Sequence, residues 1–264
     1  MQAPQIAPDE NRSPIAVLVI GGLDPGGGAG VVRDTLTAVA HGARPIVVGT
    51  AWTEQGPDVH RVEARGADAL FDSVRQALTA NPAAVKVGMV PDSASVTAIL
   101  EGLRNFAGPI VVDPVLASSR GRALFGGRPD DLMPLLARAT LATPNAVEAA
   151  ALSGFRVEDL EEAQAAASAL VARGLSTVLV KGGHLRDSHD AVTDTLLAGS
   201  ELHRLSHPRV PGGNARGTGC ALATAIAVHL GRGAAVRAAC VAGAAWLTGA
   251  LAAAVDVGDE RHLG

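Results

Sequence analysis

Short apolar runs alternate with helix-like segments along almost the whole chain, and this alternation constrains the fold more than any other feature. Each run has the length of a strand and is followed closely by a glycine, a proline or a polar residue. The runs lie at 15–20, 45–50, 84–88, 109–113, 141–143 and 177–181. Strands that alternate with helices form parallel sheets with helices on both faces. We therefore predict one α/β domain with a mostly parallel sheet over residues 14–264, after a flexible N-terminal tail over 1–13.

Glycines and polar side chains cluster where these predicted strands end. They are Gly22, Asp24, Gln55, Gly88, Asp113, Asn145 and Lys181. In open α/β sheets, ligands bind outside the carboxyl ends of the parallel strands. A lysine at the end of a central strand, such as Lys181, is costly to bury unless it is paired or faces a ligand. The pattern predicts a binding site at this edge of the sheet.

A glycine-rich segment at 213–220 precedes the apolar, helix-like run 221–230. Unpaired backbone N–H groups at a helix start, together with the helix dipole, bind anions such as phosphate. Cys220 falls in the first turn of this predicted helix, where the same field is expected to lower the pKa of its thiol. An anion site beside a reactive thiol indicates group transfer.

Composition excludes several classes of partner. A net charge of −4 and an aromatic content of 2% argue against a nucleic-acid surface, which needs clustered cations and stacking side chains. Two cysteines supply neither a disulfide framework nor a zinc ligand set, so we expect a cytoplasmic protein. The apolar run 234–257 has the length of a membrane span, but Arg237, Gly243 and Gly249 interrupt it and favour a buried helix. No membrane partner is expected.

Seven short motifs occur in order along the chain. They are Asp24-Pro25-Gly26-Gly27-Gly28-Ala29-Gly30, Gly88-Met89, Asp113-Pro114-Val115, Thr143-Pro144-Asn145, Glu148-Ala149-Ala150, Lys181-Gly182-Gly183-His184 and Gly217-Thr218-Gly219-Cys220. In this order the chain resembles the hydroxymethylpyrimidine/phosphomethylpyrimidine kinases of thiamin biosynthesis, within the ribokinase superfamily. The resemblance covers nearly the whole chain. It implies a ribokinase-like three-layer α/β/α sandwich, ATP as co-substrate, Mg²⁺ as cofactor and a small pyrimidine as substrate.

The resemblance also implies which residues bind the pyrimidine: Gly22, Asp34, Gln55, Met89 and Val115. The Gln55 amide would read the ring edge with one donor and one acceptor. Two alternatives stay open. Asp34 is either a substrate ligand or a first-turn helix acid favoured by the dipole, and Met89 without the resemblance is a core residue. Asp24 either lies near the substrate or caps the glycine loop.

On the nucleotide side, the resemblance assigns the anion hole to the backbone of Gly217, Thr218 and Gly219. It makes Cys220 the base toward the substrate CH₂OH group, and the alternative is a small residue packed in a helix turn. Lys181, Asn145 and Thr218 would contact the nucleotide. Glu148 and Asp113 would hold Mg²⁺, which uses few protein carboxylates and keeps several waters. The alternative for Asn145 and Glu148 is an ordinary helix N-cap with a first-turn acid.

The chain departs from the family pattern at two places. Arg216 replaces the usual histidine before Gly217, and Ser119 replaces a lysine in the loop after Val115; Arg120 or Arg216 is a candidate for the missing charge. Two rival functions follow. One is a pyridoxal kinase, and the other is a non-catalytic pyrimidine-binding regulator with a degenerate site. A homodimer is expected by analogy with the family.

Overall fold

The computed structural model describes residues 14–55, 60–118, 121–186, 190–212, 215–258 and 260–264, with the backbone alone at Gln55 and His60. The predicted tail over 1–13 lies outside the described residues. The strands are β1 (Ala16–Leu23), β2 (Arg44–Gln55), β3 (His60–Ala64), β4 (Ala84–Val87), β5 (Ile110–Val112), β6 (Leu141–Ala142), β7 (Thr177–Val180), β8 (Ala191–Ala198), β9 (Glu201–Pro208), β10 (Val255–Val257) and β11 (Glu260–His262). The helices are α1 (Gly30–Ala40), α2 (Ala67–Leu78), α3 (Ser93–Gly102), α4 (Met133–Arg138), α5 (Ala146–Ser153), α6 (Leu160–Ala172), α7 (Thr218–Gly231) and α8 (Val236–Ala252), with a 3-10 turn at Pro129–Leu132 before α4.

The described strands form a nine-stranded sheet in the order β3-β2-β1-β4-β5-β6-β7-β8-β9. From β2 to β7 every neighbouring pair is parallel, and β3, β8 and β9 add antiparallel edges. The six parallel strands correspond to the six predicted runs. The predicted α/β class with a mostly parallel sheet is confirmed.

Alternate residues of each central strand enter different cores, which gives the molecule three layers. In β1, Leu18 and Ile20 pack in the core that contains α2 to α6. Val17 and Val19 point the other way, into the core formed with α1, α7 and α8. Strands buried on both faces read as continuous apolar runs rather than as an alternation. This is why the runs were visible in the sequence.

Two parts of the chain differ from the sequence-based expectation. β2 continues to Gln55, beyond the predicted run 45–50, and pairs with the edge strand β3. The last helix ends at Ala252, and the remaining apolar residues belong to the antiparallel hairpin β10–β11. Among the described residues, no helix is both long and apolar enough to cross a bilayer.

The parallel topology brings the carboxyl ends of β1, β4, β5, β6 and β7 to one edge of the sheet, in that order. The start of α7 lies over the same edge, because a methyl group built on Gly219 would lie 3.0 Å from Lys181 Nζ. The residues that follow β1 and the residues that begin α7 therefore lie next to each other. The predicted site segments after β1, β4, β5, β6 and β7 thus lie at the same edge as the start of α7.

Candidate active site

Asp24 organises the glycine loop that follows β1. Its carboxylate accepts hydrogen bonds from the backbone N–H of Gly26, at 3.3 Å, and of Ala29, at 3.1 Å. The loop closes where Leu23 bridges to Gly30. Of the two roles considered for Asp24, the structure shows the capping of this loop.

The start of α7 packs directly on this loop. Gly217 is the N-cap residue with φ of +73°, and a Cβ there would lie 2.1 Å from the carbonyl oxygen of Gly28. Only glycine fits this position, both for its left-handed backbone and for its contact. Thr218, Gly219 and Cys220 form the first turn, whose N–H groups have no partner within the helix. The expected anion-binding geometry is present in the backbone.

Cys220 is half-buried in that first turn. Burial raises the pKa of the thiol to about 11, and the Asp34 and Asp113 charges add to the rise. Lys86 and the Gly30 N–H act in the opposite direction without reversing it. The prediction that the helix start lowers this pKa is wrong, because desolvation of the thiolate outweighs the helix field.

A fully buried ion pair lies beneath Cys220. Lys86 Nζ is 2.8 Å from Asp34 Oδ2, and both side chains have at most 1% of their surface exposed. Thr224 in α7 donates to the other carboxylate oxygen of Asp34 at 2.8 Å. With both oxygens bonded and no exposed surface, Asp34 holds α1, β4 and α7 together. In this arrangement its carboxylate offers a substrate no surface to contact.

Burial alone would lower the pKa of Lys86, but the charges of Asp34, Cys220 and Asp113 raise it above its ordinary value. Lys86 is therefore a buried cation directed at the same region as the thiol. Lys86 was not among the predicted site residues. The signal was present, because a lysine inside the apolar strand β4 is as unusual as the one recognised at the end of β7.

Lys181 joins two carboxylates at the neighbouring strand ends. Its Nζ donates to Asp113 Oδ1 at 2.7 Å and lies 4.0 Å from Glu148 Oε2. Thr143 also donates to Asp113 Oδ1, at 3.3 Å. Burial would lower the pKa of Lys181, but Asp113 and Glu148 raise it above its ordinary value. This cation faces the start of α7, where an anion would lie.

Asn145 and Glu148 form a reciprocal capping box at the start of α5. Asn145 Oδ1 accepts from the Glu148 N–H at 2.9 Å, and Glu148 Oε2 accepts from the Asn145 N–H at 2.8 Å. The ordinary N-cap that we considered as an alternative is thus present. Burial raises the pKa of Glu148 to about 7, against the charge of Lys181. An opposite charge favours the ionised form of a carboxyl group, so a cation bound at Glu148 would lower this pKa again.

The donor set fits a hydrated Mg²⁺ rather than an enclosed metal centre. Asp113 and Glu148 are the two carboxylates beside Lys181, and Asp113 Oδ2 lies 3.5 Å from the position of a Cβ on Gly219. The described residues contain no group of three or more His, Cys, Asp or Glu side chains that could enclose an ion. Mg²⁺ in phosphoryl-transfer sites uses one or two carboxylates, and substrate phosphates and waters complete its shell.

An apolar wall follows β1 and β4 on the other side of Cys220. Met89 packs with Ala51 and Leu124, and Val115 lies against this cluster. A Cβ on Gly22 would lie 2.9 Å from Met89 Sδ. The structure thus brings together three of the predicted substrate residues, Gly22, Met89 and Val115. The side chain of Gln55 lies outside the described residues, and so do Ser119 and Arg120.

Arg216, at the place of the family histidine, is held by two carboxylates. Its Nη2 lies 2.7 Å from Asp24 Oδ2, and its Nη1 lies 2.9 Å from Glu260 Oε1. Its backbone N–H also donates to Arg261 in β11. The guanidinium therefore links the glycine loop to the C-terminal hairpin, and its charge is neutralised there.

The chain as a whole is similar to known proteins. Residues 24–263 match the phosphomethylpyrimidine kinase family. The chain belongs to the phosphomethylpyrimidine kinase family. A hydroxymethylpyrimidine/phosphomethylpyrimidine kinase from Streptomyces coelicolor is 38% identical over 263 residues, which is 96% of this chain and 94% of the relative. The predicted family and the predicted enzyme class, a kinase, are confirmed.

Solved structures show the same fold. A pyridoxal kinase from Staphylococcus aureus in complex with AMP-PCP has a TM-score of 0.86 and 26% identity, and the match covers 96% of this chain and 93% of that one. A phosphomethylpyrimidine kinase from Clostridium difficile has a TM-score of 0.76 and 28% identity, with 90% and 99% covered. The ribokinase-like fold predicted for a member of the phosphomethylpyrimidine kinase family is confirmed.

Proposed function

We propose that this protein transfers the γ-phosphoryl group of ATP to 4-amino-5-hydroxymethyl-2-methylpyrimidine, to its monophosphate, or to both. One observation carries the proposal. The first turn of α7 lies against Lys181 and Asp113, so backbone donors and a fixed cation face the same space. Phosphoryl transfer relies mainly on such positioning and charge stabilisation.

The proposed roles follow from this geometry. The γ-phosphoryl group lies over the N–H groups of Gly217, Thr218 and Gly219, and Lys181 contributes positive charge beside it. Asn145 lies next to Lys181 through the bridge between their backbones, on the nucleotide side. Gly22, Met89 and Val115 line the pyrimidine, and Gln55 reads its edge. Asp34 acts indirectly, through the buried pair with Lys86.

Mg²⁺ belongs to this proposal as the ion that accompanies ATP. Asp113 and Glu148 would hold it, with phosphate oxygens and waters completing its shell. When bound, Mg²⁺ neutralises part of the charge that develops on the phosphates. The residues of the chain contribute the carboxylates and keep Lys181 between them.

The transfer to the alcohol needs a proton acceptor. The hydroxyl oxygen forms a bond to the γ-phosphorus while the bond from that phosphorus to the β,γ-bridging oxygen breaks, and ADP leaves. The hydroxyl proton passes to the Cys220 thiolate. Because burial holds the pKa of Cys220 near 11, the thiolate is scarce at neutral pH, and the base role predicts turnover that rises with pH.

The second transfer differs in its protonation. At neutral pH a phosphate monoester is largely ionised, since its second pKa is about 6. Its oxygen can attack without losing a proton to the enzyme. Cys220 is then needed as a base for the alcohol and not for the monophosphate, which makes the two steps separable by mutation.

A second candidate acceptor is pyridoxal. The structural similarity to the Staphylococcus aureus pyridoxal kinase, with a TM-score of 0.86, favours it. Pyridoxal also presents an aromatic nitrogen ring with a CH₂OH group, which suits the same apolar wall and the same phosphoryl site.

The deciding experiment is a coupled ADP-release assay with ATP and three acceptors: the pyrimidine alcohol, its monophosphate and pyridoxal. We expect the pyrimidines to give the higher kcat/KM. A preference for pyridoxal would select the second candidate. Binding of the pyrimidine, measured by calorimetry, without ADP release would select the non-catalytic regulator.

Cys220→Ala tests the base role within the same assay. We expect kcat for the alcohol to fall about 100-fold or more, with a much smaller loss for the monophosphate. The alkaline rise of kcat should disappear. Cys240→Ala is the matched control, because Cys240 is 1% exposed in α8 and lies outside the site. Equal losses with both acceptors would refute the base role.

A further inference from the structure

Two arginines flank the start of α7, and their surroundings differ. Arg216 is bonded to Asp24 and Glu260, so its charge is already balanced. Arg33 lies one turn into α1, and a Cβ on Gly217 would be 3.1 Å from Arg33 Cγ. The Arg33 side chain therefore runs past the N-cap residue of α7.

Arg33 is buried without a counter-charge in the described part of the chain. Only 5% of the surface of Arg33 is exposed. Among the described residues, its Nε has no hydrogen-bond partner. The neighbouring carboxylate, Asp34, is engaged by Lys86 and Thr224. Arginines are rarely buried unless they are paired, because removing an unpaired charge from water costs a large amount of free energy.

The electrostatics agree with this geometry. Burial lowers the pKa of Arg33, and the charge of Cys220 offsets only part of that effect. Arg33 thus lies within electrostatic reach of the thiol at the anion-binding turn. An anion at that turn would supply a partner for Arg33 Nε, which has none among the described residues. A guanidinium can bind a phosphate through two donors at once.

We propose that Arg33 is a phosphate-binding residue that completes the anion site at the start of α7. The anionic group is a phosphate that lies between the N–H groups of Gly217–Cys220 and the Arg33 guanidinium. The inference rests on the proposed function for the source of this phosphate. Two sources share the chemistry: the phosphoryl group in transfer, and the monophosphate group of the phosphorylated pyrimidine.

The first experiment measures phosphate binding without any turnover. The affinity of the full-length protein for inorganic phosphate is measured by calorimetry, for the wild type, Arg33→Met and Arg104→Met. Methionine keeps an unbranched apolar stem beside Gly217. Arg104 is an exposed arginine after α3, paired with Glu101, and its substitution changes the net charge equally.

We expect Arg33→Met to weaken phosphate binding by roughly 10- to 100-fold, the size of a lost charge-assisted hydrogen bond. Arg104→Met should bind like the wild type. Equal affinity in wild type and Arg33→Met overturns the proposal. So does the absence of measurable binding to the wild type at millimolar phosphate.

Thermal unfolding separates ligand binding from a structural role. Without phosphate, Arg33→Met should melt no lower than the wild type, because the substitution removes an unpaired buried charge. Phosphate should raise the melting temperature of the wild type more than that of the variant. A variant that melts lower in buffer and responds normally to phosphate would show that Arg33 is structural and overturn the proposal.

Kinetics with the two pyrimidine acceptors identify the source of the phosphate. If Arg33 binds the phosphoryl group in transfer, Arg33→Met lowers kcat for both acceptors. If it binds the acceptor phosphate, only KM for the monophosphate rises. Unchanged constants with both acceptors overturn the proposal. If the wild type phosphorylates neither pyrimidine, the proposed function is refuted. The calorimetry with inorganic phosphate then still tests whether Arg33 binds phosphate.

Discussion

The surroundings of Cys220 act on the pKa of its thiol in two opposite directions. The start of α7, the Gly30 N–H and Lys86 favour the thiolate, whereas burial and the carboxylates of Asp34 and Asp113 favour the thiol. Burial is the largest of these contributions, and the pKa settles at about 11. A reagent that attacks only thiolates can report this balance directly.

The rate at which iodoacetamide alkylates Cys220, followed by mass spectrometry, should rise about tenfold per pH unit from pH 7 to pH 10. It should level off near pH 11, well above the 8.5 of a free thiol. Cys240 serves as the internal control, because burial raises its pKa to about 12 and hides its sulfur. A plateau below pH 9 would contradict the burial argument.

The Lys86–Asp34 pair predicts a strongly non-additive effect on stability. Lys86→Met leaves the Asp34 carboxylate buried and unpaired, so the free energy of unfolding should fall by about 3–5 kcal/mol. Adding Asp34→Leu should recover much of this loss, because no buried charge remains. Urea denaturation followed by circular dichroism measures both variants. A single-variant loss below about 1 kcal/mol would show that the pair is not truly desolvated.

At the scale of elements, the site depends on the contact between the loop after β1 and the start of α7. Gly217→Ala would force a Cβ against the Gly28 oxygen and separate the two segments. We expect ADP binding, measured by calorimetry, to weaken about 100-fold. Gly154→Ala, at the end of α5, is the matched control. Its φ is +78° and no atom lies within 4 Å of the added Cβ, so it should cost only about 1 kcal/mol of stability and leave ADP binding intact.

The elements that could be predicted are those in which a short stretch of sequence already shows, by its apolar residues, that it is buried. β1, β4 and β5 are buried on both faces and stand out as apolar runs. β3 is an edge strand whose exposed, polar residues acquire regular structure only by pairing with the extension of β2. Only β10 falls within the apolar run 234–257 that also contains α8. The end of the helix inside that run could not be located from the sequence.

At the scale of the whole molecule, site residues could be predicted where a charged residue directly follows an apolar strand, as Asp113 and Lys181 do. It was not predictable where pairing depends on tertiary structure. Nothing local shows that Asp34 pairs with Lys86, 52 positions along the chain. In the sequence, Arg33 has the position of a polar residue on an amphipathic helix. Its burial results from the packing of α7, which the local sequence does not show. The predicted single domain and homodimer stay predictions.

Arg216 connects parts of the chain that are distant in sequence, the loop at Asp24 and the hairpin at Glu260. Glu260→Gln should loosen this connection without affecting the cores. We expect faster amide hydrogen exchange in 24–30 and 215–218, measured by mass spectrometry, with no change in β1 or β4. Arg61, an exposed partner of Glu63, offers Glu63→Gln as a control that should change neither region. Unaltered exchange in 24–30 would show that the hairpin does not brace the loop.

The position of the C-terminal hairpin has a practical consequence for handling the protein. Leu263 is buried in the core formed with α1, α7 and α8, and Arg261 in β11 accepts a hydrogen bond from the backbone N–H of Arg216, just before α7. An affinity tag or fluorescent fusion attached after Gly264 therefore pulls on the backbone that contacts the start of α7. Protein labelled at that end should bind ADP more weakly than the same protein after the label is removed by proteolysis.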